Sequence, residues 1–135
     1  MRVVSKTGKL LKKDEEVYQF LSDFRNFESF IPAEHMQDFK AEEDQCSFKV
    51  QGFAIELHTV EKEPNKLLKV QSSGGNPVPF TMWLQLKSME EMDTRVRVTM
   101  EAELNAMMKM VIGKQLQKAA DAMVDHMEMY FNKQA

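Results

Sequence analysis

The chain has 135 residues, of which 43% are hydrophobic and 29% charged, a balance typical of one globular domain that buries its own core. Its net charge of −3 argues against broad nucleic-acid binding, which needs a dominant basic surface. The single cysteine, Cys46, excludes an internal disulfide, and no window has the length of a membrane span. We therefore expect one cytoplasmic domain over residues 1–135, without a signal peptide or an integral membrane segment.

The first predicted elements are a strand and two short helices. Residues 3–11 (VVSKTGKLL) predict the strand, with Gly8 as its weak point. Helical spacing follows at Val17, Phe20, Leu21 and Phe24. Asp14 is the candidate N-cap of this first helix. Asp23 is the candidate cap of a second helix, which carries Phe27 and Phe30 and which Pro32 ends, because proline cannot continue the hydrogen-bond ladder.

From about Met36 the apolar period becomes two, which predicts a half-buried antiparallel sheet. Turns are expected at residues 61–66 and 89–93, and a loop at 74–79. Gly52 is expected at a turn or bulge. The residues predicted to face the core are Cys46, Phe48, Val50, Ile55, Leu57, Phe80, Met82, Leu84, Leu86, Val96, Val98, Met100 and Ala102.

The last predicted element is a long helix over residues 105–131, about 40 Å at 1.5 Å per residue. Its apolar stripe consists of Ile112, Leu116, Ala119, Ala120, Met123, Val124, Met127, Tyr130 and Phe131. Met107 and Met110 project onto the polar side of the same helical wheel, and Gly113 separates the two registers. We therefore expect residues 104–112 to form a bent first turn, a separate short helix or a lid.

The element order predicts an α+β fold, in which an antiparallel sheet of about six to seven strands curves around the C-terminal helix. Residues 14–32 (DEEVYQFLSDFRNFESFIP) and 116–131 (LQKAADAMVDHMEMYF) resemble the opening and closing segments of the START-like superfamily, also called SRPBCC. This superfamily includes the birch pollen allergens and the polyketide cyclase/dehydrase-like proteins. Phe30 stands where the family often has tryptophan.

The resemblance implies a helix-grip fold with a cavity between the sheet and the last helix. Members bind lipids, sterols, polyketides and other apolar molecules, and only some are enzymes. We therefore expect this chain to bind an apolar small molecule or lipid, with no cofactor and no metal ion. The candidate wall residues are Phe27, Phe30, Phe48, Phe80, Met82, Met100, Met108, Met123 and Met127.

An enzyme of the cyclase, dehydrase or hydrolase type is the less favoured alternative. It would need an inward polar pair drawn from His58, Glu56, Tyr18, His126 and Tyr130. Alternation places Glu56 and His58 opposite Ile55 and Leu57, which favours a solvated pair. The histidines lack the spacing of metal ligands. Cys46 lies on an apolar face and is interpreted as a small buried hydrophobe.

A protein-interaction module is the second alternative. Trp83 lies on the sheet face opposite Met82 and Leu84, where it would stack on Arg95 or Arg97 or pack under the N-terminal strand. The functional interpretation is a homodimer contact, through the surface near Trp83 or through residues Met107 to Met110. Methionines at this second place would also suit the mouth of a cavity, because unbranched thioether side chains repack easily.

Overall fold

The computed structural model describes residues 1–29, 37–50, 53–73 and 79–133. The predictions for Phe30, Pro32, Gly52 and most of the 74–79 loop fall outside these ranges. The elements in chain order are β1 (Arg2–Val4), β2 (Gly8–Leu10), α1 (Asp14–Leu21), a 3-10 helix (Phe24–Ser29), β3 (Gln37–Ala41), β4 (Gln45–Val50), β5 (Phe53–Glu63), β6 (Leu67–Ser72), β7 (Phe80–Glu90), β8 (Asp93–Ala102) and α2 (Ala106–Asn132).

The predicted α+β class is confirmed: a curved antiparallel sheet packs against one long C-terminal helix. The strand order is β1-β8-β7-β6-β5-β4-β3, and β2 also pairs with β8. The described sheet has eight strands because the predicted first strand is split into β1 and β2. Ser5 lies between them, and its hydroxyl accepts a hydrogen bond from the Val98 amide at 2.8 Å. The Ser5 hydroxyl thus takes the place of a backbone carbonyl as the acceptor for the Val98 amide.

Of the two short helices, the first differs from prediction in its cap and the second agrees with it. Lys13, not Asp14, is the N-cap of α1, and it makes no side-chain capping bond. The Asp14 carboxylate instead accepts a hydrogen bond from the adjacent Glu15 amide at 2.8 Å. Asp23 does cap the second helix, which is of the 3-10 type, because its carboxylate accepts from the Arg25 amide at 2.9 Å.

The sheet register aligns one row of side chains across the core-facing side. From the β3 edge inward the row contains Ala41, Cys46, Leu57, Ser72, Phe80 and Ala102. Alternation therefore places the core where the sequence predicts it. The turn after β5 is shorter than predicted, because the strand reaches Glu63 and the turn is made around Asn65, whose φ is 64°.

Helix α2 runs from Ala106 to Asn132 without interruption, so the predicted break near Gly113 is wrong. The Asn105 side chain caps the helix by accepting a hydrogen bond from the Met108 amide at 2.8 Å. Gly113 has a packing role instead: a Cβ there would lie 2.8 Å from the Met1 Cε atom. Met107 is off the buried side of the helix, as the helical wheel predicts, and is 75% exposed.

The buried side of α2 packs against β1, β2 and β8. Its buried residues include Ala120, Val124, Met127 and Phe131. Gly8 of β2 lies directly beneath Val124, since a Cβ at Gly8 would be 2.5 Å from the Val124 Cγ1 atom. The absence of a side chain at Gly8 is therefore what allows the helix to approach the sheet this closely.

A second side of α2 supplies hydrogen bonds to the backbone at the β1–β2 edge of the sheet. We call it the edge-pairing face; it consists of Gln117, Asp121, Asp125, Glu128 and Asn132. The amides of Lys6, Lys9 and Leu11 donate to the side chains of Asp121, Glu128 and Asn132 at 2.8, 3.0 and 2.8 Å. The Gln117 and Asn132 amides donate to the Val4 and Lys9 carbonyls, each at 2.9 Å.

These bonds satisfy backbone N–H and C=O groups at the sheet edge that a neighbouring strand would otherwise pair with. The Lys6 ammonium adds an ion pair with Asp125. The hydrogen bond that the Lys6 ammonium donates to the Asp125 carboxylate raises the pKa of Lys6, so the pair is present at neutral pH and is lost only as pH rises past the ordinary lysine range.

Gly8→Ala is expected to destabilise the protein by about 1–3 kcal/mol, because the new methyl group would overlap Val124 beneath a packed helix. Gly113→Ala is the matched control. Its methyl group meets only the flexible end of Met1, and alanine gains about 1 kcal/mol of helix propensity. Urea denaturation midpoints would measure both, and equal destabilisation by the two substitutions would contradict this account.

Asn132→Leu keeps the side-chain volume but removes the hydrogen bonds of this side chain with Lys9 of β2 and with Leu11, the residue after that strand. We expect a loss of about 1–2 kcal/mol in unfolding free energy and faster hydrogen exchange at the Leu11 amide. Gln115→Leu, on the exposed side of α2, is the control. Unchanged exchange at Leu11 would show that the edge-pairing face does not protect this backbone.

Candidate ligand-binding site

A third side of α2 is apolar but incompletely covered. We call it the open flank; its members, at helical spacing, are Met108, Leu116, Ala119 and Met123. Met108, Leu116 and Met123 are half-buried, and Ala119 between them is exposed. The open flank lies on the opposite side of the helix from the edge-pairing face, which is held against the β1–β2 edge. It is therefore turned toward the rest of the sheet, over the side that carries β3–β7.

The sheet shows a matching change in burial along its core-facing side. Leu84 and Val98, in the middle of the sheet, are at most 1% exposed. Phe48, Ile55 and Phe80 face the same side but are only half-buried, although they pack against the core. Phe48 and Ile55 are direct register partners on β4 and β5. We take these residues and the open flank together as the candidate site, because both are half-buried apolar groups that border the core on the helix side of the sheet.

The predicted wall residues fall into two groups. Phe27, Met82, Met100 and Met127 are buried at 3, 3, 5 and 0% exposure and belong to the closed core. Phe48, Phe80, Met108 and Met123 are half-buried and belong to the candidate site. Phe30 lies outside the described residues. Ile55, Leu116 and Ala119 were not among the predicted wall residues, because alternation and helical spacing identify an apolar side but not how completely it is covered.

Two surface grooves of about 350 and 370 Å³ lie between β3, β4 and β5. Both are lined by Lys40, Ser47 and Glu56, which alternate with core-facing residues and so project from the outer side of the sheet. Neither groove is lined by a residue of α2. The first groove contains no residue of the candidate site, whereas the second borders it at Phe48.

The predicted polar pair lies on the outer side of the sheet. Glu56 is exposed and His58 is half-buried, and Leu57 between them is buried. The His58 Nδ1 atom lies 3.3 Å from the Ser73 hydroxyl. Both side chains are thus separated from the candidate site by the sheet itself.

The other polar candidates lie toward the C-terminal end of α2. The Tyr130 ring stacks on Phe20 of α1, with 4.7 Å between centroids. Tyr18, also on α1, is half-buried and packs against the core. His126 is half-buried, about one turn from Met123 and one turn from Tyr130. His126 thus adjoins the open flank.

Trp83 is half-buried on the outer side of the sheet, between two cations. The Arg2 guanidinium lies 5.5 Å from the ring centroid and the Lys69 ammonium 5.7 Å from it. The arginine thus comes from β1 and not from the predicted positions 95 or 97. The reason is register: Trp83 is opposite Thr99.

Cys46 is 5% exposed in the core-facing row. Burial raises the pKa of its thiol to about 12, against a smaller opposing effect of a hydrogen bond with the Leu57 backbone. The thiolate that a nucleophile requires is therefore scarce at neutral pH.

Among the described residues, no cluster of three or more histidine, cysteine or acidic side chains has a geometry that would hold a metal ion. None of the helices in this part of the chain combines the length and the apolar character needed to cross a bilayer.

Comparison with known proteins supports the architecture. A family profile described as "Polyketide cyclase / dehydrase and lipid transport" matches residues 13–128. Among solved structures, the protein TTHA0849 from Thermus thermophilus has a TM-score of 0.74 at 13% identity, with 100% of this chain and 99% of that chain covered. A START superfamily protein from Mycobacterium smegmatis has a TM-score of 0.73 at 14% identity and 99% coverage of both chains.

A third similar structure is a Thalictrum flavum norcoclaurine synthase point mutant in complex with a transition-state analogue. Its TM-score is 0.73 at 10% identity, with 99% of this chain and 96% of that chain covered. No curated protein sequence matches this chain significantly. At these identities the structural matches establish the fold alone.

We expect Cys46 to react with a thiol reagent at pH 8 about a thousandfold more slowly in the folded than in the unfolded protein, since its pKa is raised from 9.0 to about 12. Stopped-flow labelling with and without urea would measure this. Ser47→Cys in a Cys46→Ser background is the control, because its side chain points outward and is expected to react quickly. Rapid labelling of folded Cys46 would contradict the prediction.

Proposed function

The chain belongs to the polyketide cyclase/dehydrase and lipid transport family, whose fold binds ligands, and we propose that it acts as a binding protein for an apolar small molecule or lipid. The proposed binding site is the candidate site between the open flank of α2 and the half-buried aromatic residues of the sheet.

The observation that carries the proposal is the incomplete burial of the open flank. An apolar helix side that faces a sheet is normally covered by it, as Val124 and Met127 are, each at 0% exposure. Ala119 is instead exposed between two half-buried apolar neighbours. An apolar ligand that buried about 300 Å² of its surface against this region would gain about 7 kcal/mol before the cost of association.

Polar groups near the candidate site would orient such a ligand. Ser72 lies beside Phe80 in the core-facing row, and its hydroxyl oxygen accepts a hydrogen bond from the Phe80 amide at 3.0 Å. A hydroxyl can also donate one hydrogen bond, which a polar group of the ligand would accept. His126 adjoins the open flank from the helix side. These groups suit a ligand with one polar end, such as a fatty acid or a hydroxylated polyketide.

Catalysis is the weaker candidate function, because the polar residues that sequence analysis singled out do not converge. Glu56 and His58 lie beyond the sheet, and the Tyr130 ring packs against α1. A ligand in the candidate site would meet His126 and Ser72, which suffices for orientation. We therefore propose binding without assigning a reaction.

Ala119→Trp is expected to abolish ligand binding, because an indole group would fill the space beside Leu116 and Met123. The fold should survive, since position 119 is exposed. Native mass spectrometry of protein purified from its own host would detect the bound ligand as an added mass. Binding of the fluorescent probe 8-anilinonaphthalene-1-sulfonate would be measured in parallel.

Met129→Trp is the matched control. Met129 is 70% exposed on the solvent side of α2, so this substitution adds an indole group away from the candidate site. We expect it to bind ligand and probe like the wild type. Wild-type protein with neither an added mass nor probe fluorescence would overturn the proposal. Equal loss of binding in both variants would place the ligand elsewhere.

A further inference from the structure

The first two turns of α2 project beyond the packed body of the protein. Lys109 shows this most clearly. It lies about five turns before the fully buried Met127, on the same side of the helix, yet it is exposed. Ala106, on the same side, is exposed as well, so the described residues leave this end of α2 largely uncovered on its core-facing side.

The projecting end is apolar. Met107, Met110 and Val111 are 75, 85 and 66% exposed, and we call these three residues the methionine surface. Met1, whose side chain packs on Gly113 about one turn from Met110, extends it and is 36% exposed. Apolar side chains exposed together in this way mark a contact surface more often than isolated exposed residues do.

The charges around the methionine surface are mainly positive. Residues 104–120 contain Lys109, Lys114 and Lys118 and no acidic residue. The acidic residues of α2 come later, in the edge-pairing face, where they bind β1–β2. Glu101 and Glu103 precede the helix, and Glu101 lies 4.0 Å from the Arg2 guanidinium. A protein with a net charge of −3 thus has a local basic, apolar surface at one end.

We propose that this end of α2 docks on anionic membrane surfaces. The methionine surface would enter the boundary between headgroups and acyl chains, while the lysines contact the lipid phosphates. Exposed thioether and valine side chains beside lysines, on a projecting helix end, match the requirements for interfacial binding. The proposal does not depend on ligand binding, because the exposed residues named here are not those of the candidate site.

A second copy of the chain fits this surface less well. A two-fold symmetric contact would bring the same lysines of both copies together, and their repulsion would oppose association. The surface is also a projecting end and not a groove, so it offers little enclosure to a peptide. A planar, negatively charged lipid surface satisfies both the apolar and the basic side chains.

The test is sedimentation of the full-length protein with vesicles of phosphatidylcholine alone or mixed with phosphatidylglycerol. We expect binding to the mixed vesicles only, and weaker binding at high salt. The double variant Met110→Gln, Val111→Gln should weaken binding about tenfold through lost apolar burial. Lys114→Gln should weaken it about fivefold, the effect expected for one lysine near an anionic surface.

The matched controls lie at the turn end of the β7–β8 hairpin, far from the start of α2. Met89 and Met92 are 52 and 49% exposed, so Met89→Gln with Met92→Gln removes similar exposed apolar surface, and Lys87→Gln removes one exposed lysine. We expect these variants to bind like the wild type. No binding to mixed vesicles, equal binding to neutral vesicles, or equal loss in control variants would overturn the proposal. The proposal would also be overturned if the protein did not bind vesicles and light scattering showed a dimer that is lost when Met110 is replaced.

Discussion

The hydrogen bonds between the edge-pairing face of α2 and the backbone around β2 determine the geometry of the rest of the molecule. Asp121, Glu128 and Asn132 each bind a backbone amide, and these amides are spaced along the edge of the sheet. A helix held at three such points cannot rotate about its axis without breaking several bonds. Gly8 sets the distance between helix and strand, because its missing side chain admits Val124.

Once the rotation of α2 is fixed, the roles of its other sides follow. The side over β8 is buried, and the side away from the β1–β2 edge becomes the open flank. The helix is therefore asymmetric: polar bonds secure one side, and an apolar side opposite them remains incompletely covered. Met108 and Met123 on the open flank suit this position, because unbranched side chains can adapt to guests of different shape. A β-branched side chain at the same place would have fewer conformations available.

The sheet could be predicted well from the sequence, because a half-buried antiparallel strand imposes a regular alternation of apolar and polar residues. Alternation placed Cys46, Leu57 and Phe80 on one side, and the register confirms it. It could not show that the Ser5 hydroxyl takes the place of a backbone partner and splits the first strand. Helical spacing likewise found the buried side of α2. It failed at Gly113, because the packing of Met1 on that glycine depends on contact between the two ends of the chain.

The candidate site was predicted in part for the same physical reason. Phe48, Phe80 and Met123 are apolar residues at the correct spacing, but so are Met82 and Met127, which are buried in the core. Spacing gives the direction of a side chain, whereas coverage depends on where the helix and the sheet separate. Helical spacing assigns Ala119 to the buried stripe, because nothing in its local sequence reveals that it is exposed.

The order of charges along α2 has a consequence for how the protein folds. Its first turn has no acidic residue, so its N-terminal end lacks the favourable interaction between a carboxylate and the helix dipole. The helix therefore depends on tertiary contacts, and those contacts join Lys6 to Asp121 and Leu11 to Asn132, across 115 and 121 residues of chain. Stable formation of α2 thus relies on contacts of very long sequence separation, and a topology rich in such contacts folds slowly. We therefore expect the first and last segments of this protein to acquire their native structure together.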